Sequence, residues 1–375
     1  MNRKTLISVS LAAGLVLGMA AYPAVRYFES RQALTASAAT STTADGWKFS
    51  YDDTHCEITG CTNAVQGDVT IPAAIAVEGK ELPVTAITQD FYYSGSDITG
   101  LTIPASVTLL PRQFCENKKN LTTVTFQGSI ITIPHAAFLG CTNLKTINLP
   151  DDVSTIGSNA FQNCTRLESI KLPAKLSTLE SYAFAGCESL KSISVPGTVT
   201  DIPDSAFAGC AALASVTLGD GIKSVGGSAF AKCTSLTEIT FPKSVNTVKA
   251  GQILSGCSNL ESVTFENPDC EIGSIYGTAE KPLTIYGYEN STAQEYCAYR
   301  DRMNGANSGV VFKSIGEKPA PQPVQDTGLF CDANGDETVD VTDAQLVLNY
   351  YVQSMAGKNP SWYELTKNPK APDAP

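Results

Sequence analysis

Phe138, Phe161, Phe184, Phe207 and Phe230 stand 23 residues apart, and each is followed three positions later by a cysteine: Cys141, Cys164, Cys187, Cys210 and Cys233. The series runs forward to Leu254 and Cys257 and backward to Phe114 and Phe91, at spacings of 23 or 24. Inside each unit a segment L-x-x-I-x-L-P, such as Leu167, Ile170, Leu172 and Pro173, ends in alternating apolar and polar positions. That alternation predicts a short strand with Ile and Leu on one face, closed by a residue that cannot donate to a ladder. Then V-x-x-I (Val153 and Ile156, Val199 and Ile202) and a small-Phe pair such as Ala160-Phe161 return the chain to its starting point. A single 23-residue coil cannot bury its apolar face alone, whereas stacked coils share one core. The pattern therefore predicts a solenoid of short strands with irregular or turn returns.

The unit "FAGCESLKSISVPGTVTDIPDSA" carries an Ala-Phe-x-x-Cys-x-x-Leu signature and resembles the BspA-like class of leucine-rich repeat over roughly residues 65–270. The first copies depart from it. Phe91 is followed by "YYSGSDITGL" without a cysteine, and Cys115 directly follows Phe114. Residues 46–64, with Trp47, Tyr51, Cys56, Ile58 and Cys61, read as an N-terminal strand cap, and residues 283–303 as the closing cap. Caps protect the open ends of such a stack.

Identical positions on successive coils form a row and not a tetrahedron, so the cysteine series reads as a column of small buried hydrophobes and not as a metal site. Strands about 4.8 Å apart would tolerate a disulfide only if parallel side chains swung together. Cys56 and Cys61, close in sequence and outside the column, are the better disulfide candidates. Alternation turns Thr146 and Asn148, Ser169 and Lys171, Ser192 and Ser194, Ser215 and Thr217, and Glu238 and Thr240 outward. Such a face offers hydroxyls and almost no aromatic rings, which suits hydrogen-bonded protein recognition better than sugar stacking.

Charge and composition narrow the function classes. The chain of 375 residues is 43% hydrophobic and 17% charged, a core-forming composition. A net charge of -11 and the absence of a Lys/Arg run beyond the extreme N-terminus argue against nucleic acid as a partner. With two histidines only, His55 and His135, and no G-x-S-x-G, H-E-x-x-H or G-x-x-x-x-G-K-[ST], the chain is read as non-catalytic. The carboxylates of the repeats, Asp151, Asp152, Glu168, Glu180, Glu188, Asp201 and Asp204, occupy non-equivalent coil positions and read as solubilising charges. Asn2, Arg3 and Lys4 precede an apolar run from Leu6 to about Ala21, the order of a secretory signal with cleavage after Ala24 or after Ala38. Retained, the same run would be an N-terminal membrane anchor.

Residues 316–328, "GEKPAPQPVQDTG", lack an apolar period and read as a semi-extended linker. Beyond them Asp332, Asn334, Asp336, Thr338, Asp340 and Asp343 fall at positions 1, 3, 5, 7, 9 and 12 of a twelve-residue loop. Oxygens at those offsets, with Thr338 contributing its carbonyl, converge on a hard cation, and Ca2+ is the natural occupant. Ala344, Val347, Leu348 and Tyr351 follow at helical spacing. The stretch "DANGDETVDVTDAQLVL" resembles the dockerin half-motif. The resemblance implies a small α calcium-loop module that docks onto a cohesin domain of a cellulosome-type scaffold, in the context of polysaccharide breakdown. It also implies that Val341 and Thr342, with Leu346 beside them, contact that partner. Position 6 is Glu337 where the turn favours glycine, and one loop is present where dockerins carry two.

The expected organisation is a signal peptide or anchor at 1–24, a linker at 25–45 and the capped solenoid at 46–315. A Pro-rich linker at 316–328 and a dockerin-like module at 329–375 complete it. The expected protein is secreted or held on a bacterial cell surface, with an unidentified protein or surface ligand on the solenoid. The alternative is a membrane-anchored surface adhesin whose calcium loop is only structural.

Overall fold

The computed structural model describes residues 39–94, 97–275, 282–304 and 309–319. The predicted calcium ligands and partner-contact residues at 332–346, the dockerin-like module and the N-terminal apolar run all lie outside these residues.

Strands β1 (Ala39–Thr42), β2 (Trp47–Tyr51), β3 (Cys56–Cys61), β4 (Gly67–Thr70), β5 (Ala74–Val77) and β6 (Lys80–Ile87) open the chain. All but β4 form a cap sheet of order β1-β2-β3-β6-β5. Its β5–β6 hairpin turns at Glu78 and Gly79, both at positive φ (52° and 84°), the conformation that two-residue hairpins require. The linker expected at 25–45 thus already contains a strand, because β1 pairs antiparallel with β2 through Ala39–Tyr51 to Thr42–Lys48.

The coils follow. In chain order they contain β7 (Ile98–Ile103), β8 (Thr123–Phe126), β9 (Thr132–Ile133), β10 (Thr146–Ile147), β11 (Thr155–Ile156), β12 (Ser169–Ile170), β13 (Thr178–Leu179) and β14 (Ser192–Val195). Next come β15 (Asp201–Ile202), β16 (Ser215–Leu218), β17 (Ser224–Val225), β18 (Glu238–Phe241), β19 (Thr247–Val248), β20 (Ser262–Phe265) and β21 (Glu271–Ile272). The closing cap is β22 (Leu283–Glu289), helix α1 (Thr292–Asn304) and β23 (Val310–Glu317).

Each coil makes two parallel strands where one was expected. The L-x-x-I-x-L segments stack as a first ladder from β4 and β7 to β22 and β23, in three hydrogen-bonded runs lying side by side. The V-x-x-I segments stack as a second ladder, β9-β11-β13 and β15-β17-β19-β21. Even the turn carrying phenylalanine is regular: Phe138, Phe161, Phe184 and Phe207 donate their backbone N–H to Ala160, Ala183, Ala206 and Ala229 of the next coil, at 2.8 to 2.9 Å. The return is therefore not irregular, because a buried backbone must satisfy its polar groups and the only partners at hand belong to the neighbouring coil. Period-based reading misses this third ladder, since two residues per turn adopt the left-handed conformation and break any simple alternation. One such position follows Phe by two, and is Gly140, Asn163, Gly186, Gly209, Lys232 or Gly256, at φ 58° to 77°.

Between the ladders runs one continuous apolar core. The phenylalanine rings stack down it: Phe161, Phe184 and Phe207 are 5.2 and 5.5 Å apart and within 4° of parallel. Each buried ring contributes roughly 1.5–3 kcal/mol over an exposed one, and each ring pair about 0.5–1.5 more. Trp47 of the cap stacks on Phe91 at 6.4 Å and extends the column to the N-terminal end. At the other end α1 buries Ala293 and Cys297, and the Tyr296 hydroxyl donates to the Ile275 carbonyl. Strand β23 runs to Glu317, so the first two residues of the expected 316–328 linker belong to the last strand.

Candidate recognition face

The pleat sends alternate residues of the first ladder into solvent, and the parallel register lines them up in rows. Thr123, Thr146 and Ser169 are cross-strand partners, as are Ser192 and Ser215, and Glu238, Ser262 and Thr284. A second row places Thr102 beside Thr125, Ser194 beside Thr217, and Thr240 beside Thr264 and Tyr286. All ten residues expected on this face, from Thr146 to Thr240, are exposed, as the alternation predicts. With strands about 4.8 Å apart, the eleven-strand ladder presents a strip about 48 Å long.

The expectation of almost no aromatics fails at one end. Register continues past the last repeat into β22 and β23, so Tyr286 joins the second row and Val311 and Lys313 stand beside Thr284 and Tyr286. Lys313 Nζ lies 5.8 Å from the centre of the Tyr286 ring, and Val311 is 45% exposed. These residues were missed because the closing cap lacks the 23-residue period. The alternation in "LTIYGYE" was the available signal.

Carboxylates in the repeats do more than solubilise. Asp152 takes a hydrogen bond from Lys175 (2.6 Å) and one from Ser129 (2.7 Å), Glu168 one from Lys191 (2.8 Å), and Asp204 one from the Gly227 N–H (2.8 Å). Each partner lies 23 residues away, one coil along the stack. The Lys175 ammonium holds Asp152 below the usual carboxylate range, Lys191 does the same for Glu168, and the Ser224 and Thr200 hydroxyls lower Asp201. Glu180 accepts the Ser158 N–H. His135 Nδ1 lies 2.7 Å from Ser158 Oγ, and His55 sits in a turn with Thr54 and Asp52. Among the described residues no carboxylate is hydrogen-bonded to the His135 ring, so the Ser158 contact lacks the orienting third group of a nucleophile–base pair.

The cysteine column is buried as expected, with an added role. Cys164, Cys187, Cys210, Cys233 and Cys257 point their thiols at the carbonyls of Phe138, Phe161, Phe184, Phe207 and Phe230 in the preceding coil, at 3.1 to 3.3 Å. Each of those carbonyls also accepts the backbone N–H of the cysteine in its own coil, so the thiol fills a second lone pair. Burial pushes the Cys141 and Cys210 thiols up to about 12, and those of Cys115, Cys164 and Cys187 well above their ordinary value. They are inert as nucleophiles at neutral pH. Cys56 and Cys61 are not a disulfide: they are free and buried at opposite ends of β3, about 16 Å apart by strand rise.

Lys118 occupies the position of the missing cysteine, 23 residues before Cys141. It is 3% exposed, its ammonium reaches the carbonyls of Phe91 (3.4 Å) and Ser94, and it lies 4.9 Å from the centre of the Phe91 ring. A cation there matches the C-terminal carbonyls of the 3-10 turn Gln89–Tyr93. Among the described residues no group of three or more His, Cys, Asp or Glu could hold a metal ion, and no helix is long and apolar enough to cross a membrane.

Known proteins place this architecture. Among solved structures, a leucine-rich repeat protein from Bacteroides ovatus matches at 22% identity over 74% of this chain and 79% of its own, with a TM-score of 0.53. A Treponema pallidum leucine-rich repeat protein matches at 25% identity, over 52% of this chain and 90% of its own, TM-score 0.46. A leucine-rich cell surface protein from Faecalibacterium prausnitzii matches at 19% identity, over 69% and 97%, TM-score 0.31. No curated protein matches the chain. The family profile "BspA type leucine rich repeat region (6 copies)" matches residues 85–213 and 162–276, which together span just over half of the chain. With its 23-residue coils, stacked phenylalanines and parallel ladders, the chain belongs to the BspA-type leucine-rich repeat family.

Proposed function

We propose that this is an exported, non-catalytic recognition protein. Its first-ladder face grips a protein or surface ligand, and its C-terminal acidic loop, once it binds Ca2+, attaches the chain to a cohesin of a scaffold assembly. The observation that carries the recognition reading is the pair of outward rows, mostly Ser and Thr and interrupted by Asn148, Lys171 and Glu238, that ends in Tyr286, Val311 and Lys313. Small polar side chains let a partner backbone approach closely, and one aromatic end gives an anchor of the kind that dominates interface energies. A strip of this length has room for an interface of standard size, about 800 Å² per partner.

Attachment is supported by the ligand spacing of Asp332, Asn334, Asp336, Thr338, Asp340 and Asp343, with Val341, Thr342 and Leu346 as the partner contacts. Export is supported by the order of Asn2, Arg3 and Lys4 before the apolar run.

Two measurements test the proposal. Titration calorimetry of the full chain with calcium, and then with cohesin domains, should show heat in both steps. Silence with calcium removes the metal, and silence with every cohesin removes the attachment. Retention of the full chain on intact bacterial cells and on scaffold preparations should fall when Thr217 and Thr240 are both replaced by arginine, and unchanged retention would discard the face. The adhesin alternative rests on the apolar stretch that reaches Ala24 before Arg26, and mass spectrometry finding residue 1 intact on membrane-associated protein would favour it.

A further inference from the structure

The first-ladder face is not evenly charged. In the coils that carry residues 119–126, 142–149, 165–172 and 188–195 it holds Lys119, Lys145, Arg166, Lys171 and Lys191, all exposed, against Glu168 and Glu188. The next coil has no charged side chain in residues 211–218. Beyond it stand the exposed Glu238 and Glu261, and on the N-terminal side Asp68 and Asp97. A basic belt three coil spacings long, about 14 Å, thus lies between acidic ends. The chain as a whole carries a net charge of -11. Lys191 is ion-paired to Glu168 at 2.8 Å. Lys119, Lys145, Arg166 and Lys171 make no ion pair among the described residues.

Backbone hydrogen bonds fix the belt in place. The Glu168 N–H donates to the Lys145 carbonyl and the Lys191 N–H to the Glu168 carbonyl, so the three stand in one row across successive coils. Such an array of fixed cations attracts and steers an anionic partner. The acidic ends decide which kind. A uniform polyanion running along the strip of about 48 Å would meet Asp68 and Asp97 at one side and Glu238 and Glu261 at the other, and juxtaposed like charges are unfavourable. A protein segment that is acidic only over the belt avoids both. An extended chain places alternate side chains on one side about 6.7 Å apart, so about three carboxylates at alternate positions span the belt. Thr146, Ser169 and Ser192, small and exposed among the cations, let the backbone of such a segment approach.

We propose that the basic belt of the first-ladder face takes an extended acidic segment of a partner protein. This rests on the recognition reading of that face and names the chemistry of its partner. Fluorescence anisotropy of the full chain tests it, with a labelled synthetic peptide that alternates Glu and Ser and with the same peptide carrying Gln for Glu. The Glu peptide should bind and the Gln peptide should not. Binding should weaken about tenfold or more as the Debye length shrinks from about 30 Å at 0.01 M salt to about 3 Å at 1 M. Lys145→Glu combined with Lys171→Glu should weaken it by a similar factor. Lys223→Glu combined with Lys249→Glu, the same change in net charge on exposed lysines beside the second ladder, should leave it unchanged. Equal affinity for the two peptides, or equal loss in the two double variants, overturns the proposal. So does a long polyglutamate that binds more tightly than the short peptide at equal carboxylate concentration, because the acidic ends would then exclude nothing. If the peptide fails while retention on cells still depends on Thr217 and Thr240, the face stands and the acidic partner falls; loss of both removes the face itself.

Discussion

From Phe138 to Phe230 every coil treats the buried carbonyl of its phenylalanine in the same way, giving it the thiol of the next coil's cysteine. Two coils earlier the carbonyl of Phe91 faces the same need, and Lys118 meets it with an ammonium that also reaches Ser94. The middle repeats a weak, neutral donor because the next coil always offers an identical neighbour. The end cannot, because the 3-10 turn Gln89–Tyr93 replaces the standard turn and leaves the half-buried Ser94 carbonyl to be met as well. At the other limit the column ends in Leu254, and a helix covers the last coil. Translation along the stack makes one solution sufficient for all interior coils, and each terminus needs its own.

The largest contrast is expected in alkali. The middle thiols are held above their ordinary pKa by burial, so the unfolded chain releases protons that the folded chain keeps. Their stabilisation is fully present below the unfolded value near 9 and is lost as pH rises above it, for Cys141 and Cys210 up to about 12. The loss is roughly 1.4 kcal/mol per thiol per pH unit in that window. Melting temperatures between pH 8 and 12 should fall steeply, and Cys187→Ala should make the slope shallower. An unchanged slope breaks the link between burial and titration.

Next in size is the ring column. Phe184→Ala should cost about 3–5 kcal/mol in denaturant unfolding, since the ring is stacked on both sides. Leu254→Ala, at the end of the column, should cost less. Equal losses would mean that the interior gains nothing from having two neighbours.

Exchanging the two donors sharpens the comparison further. Lys118→Cys puts the middle's solution at the end, where the shorter side chain leaves the Ser94 carbonyl without its donor, and should cost about 1–3 kcal/mol. Cys187→Ala, measured by the same unfolding at pH 7, should cost only about 1 kcal/mol.

The smallest effects differ in sign. Gly186 and Lys232 occupy equivalent left-handed positions at φ 73° and 60°. Gly186→Ala should lower stability by about 1–2 kcal/mol, while Lys232→Gly should raise it by up to about 1. Thermal melts of the two variants check this, and a shared sign would show that something other than backbone conformation governs the site.

Regular coils were legible in the sequence and the termini much less so. Spacing alone located the phenylalanine column, the buried cysteines and the ten outward residues of the face, because all of these recur with the period. The second strand of each coil, such as Thr155–Ile156, escaped because two residues are too short to display an alternation. The role of Lys118 was not legible, since nothing local to it announces that two carbonyls wait in the neighbouring coil. Cys56 and Cys61 looked like partners because sequence proximity was taken for spatial proximity, and an extended strand separates what a turn would have joined. Tyr286 and Lys313 were not recognised as part of the face because they continue its rows without continuing its repeat.

By itself the sequence determined the stack: a 23-residue apolar period cannot be buried except by placing one coil on the next, and family, core and outward face follow from that. Only the tertiary structure decided which buried polar group meets which. Those pairings join residues about one coil apart in the chain but adjacent in space, and the choice of thiol, ammonium or backbone N–H as donor depends on the carbonyl that packing brings within reach.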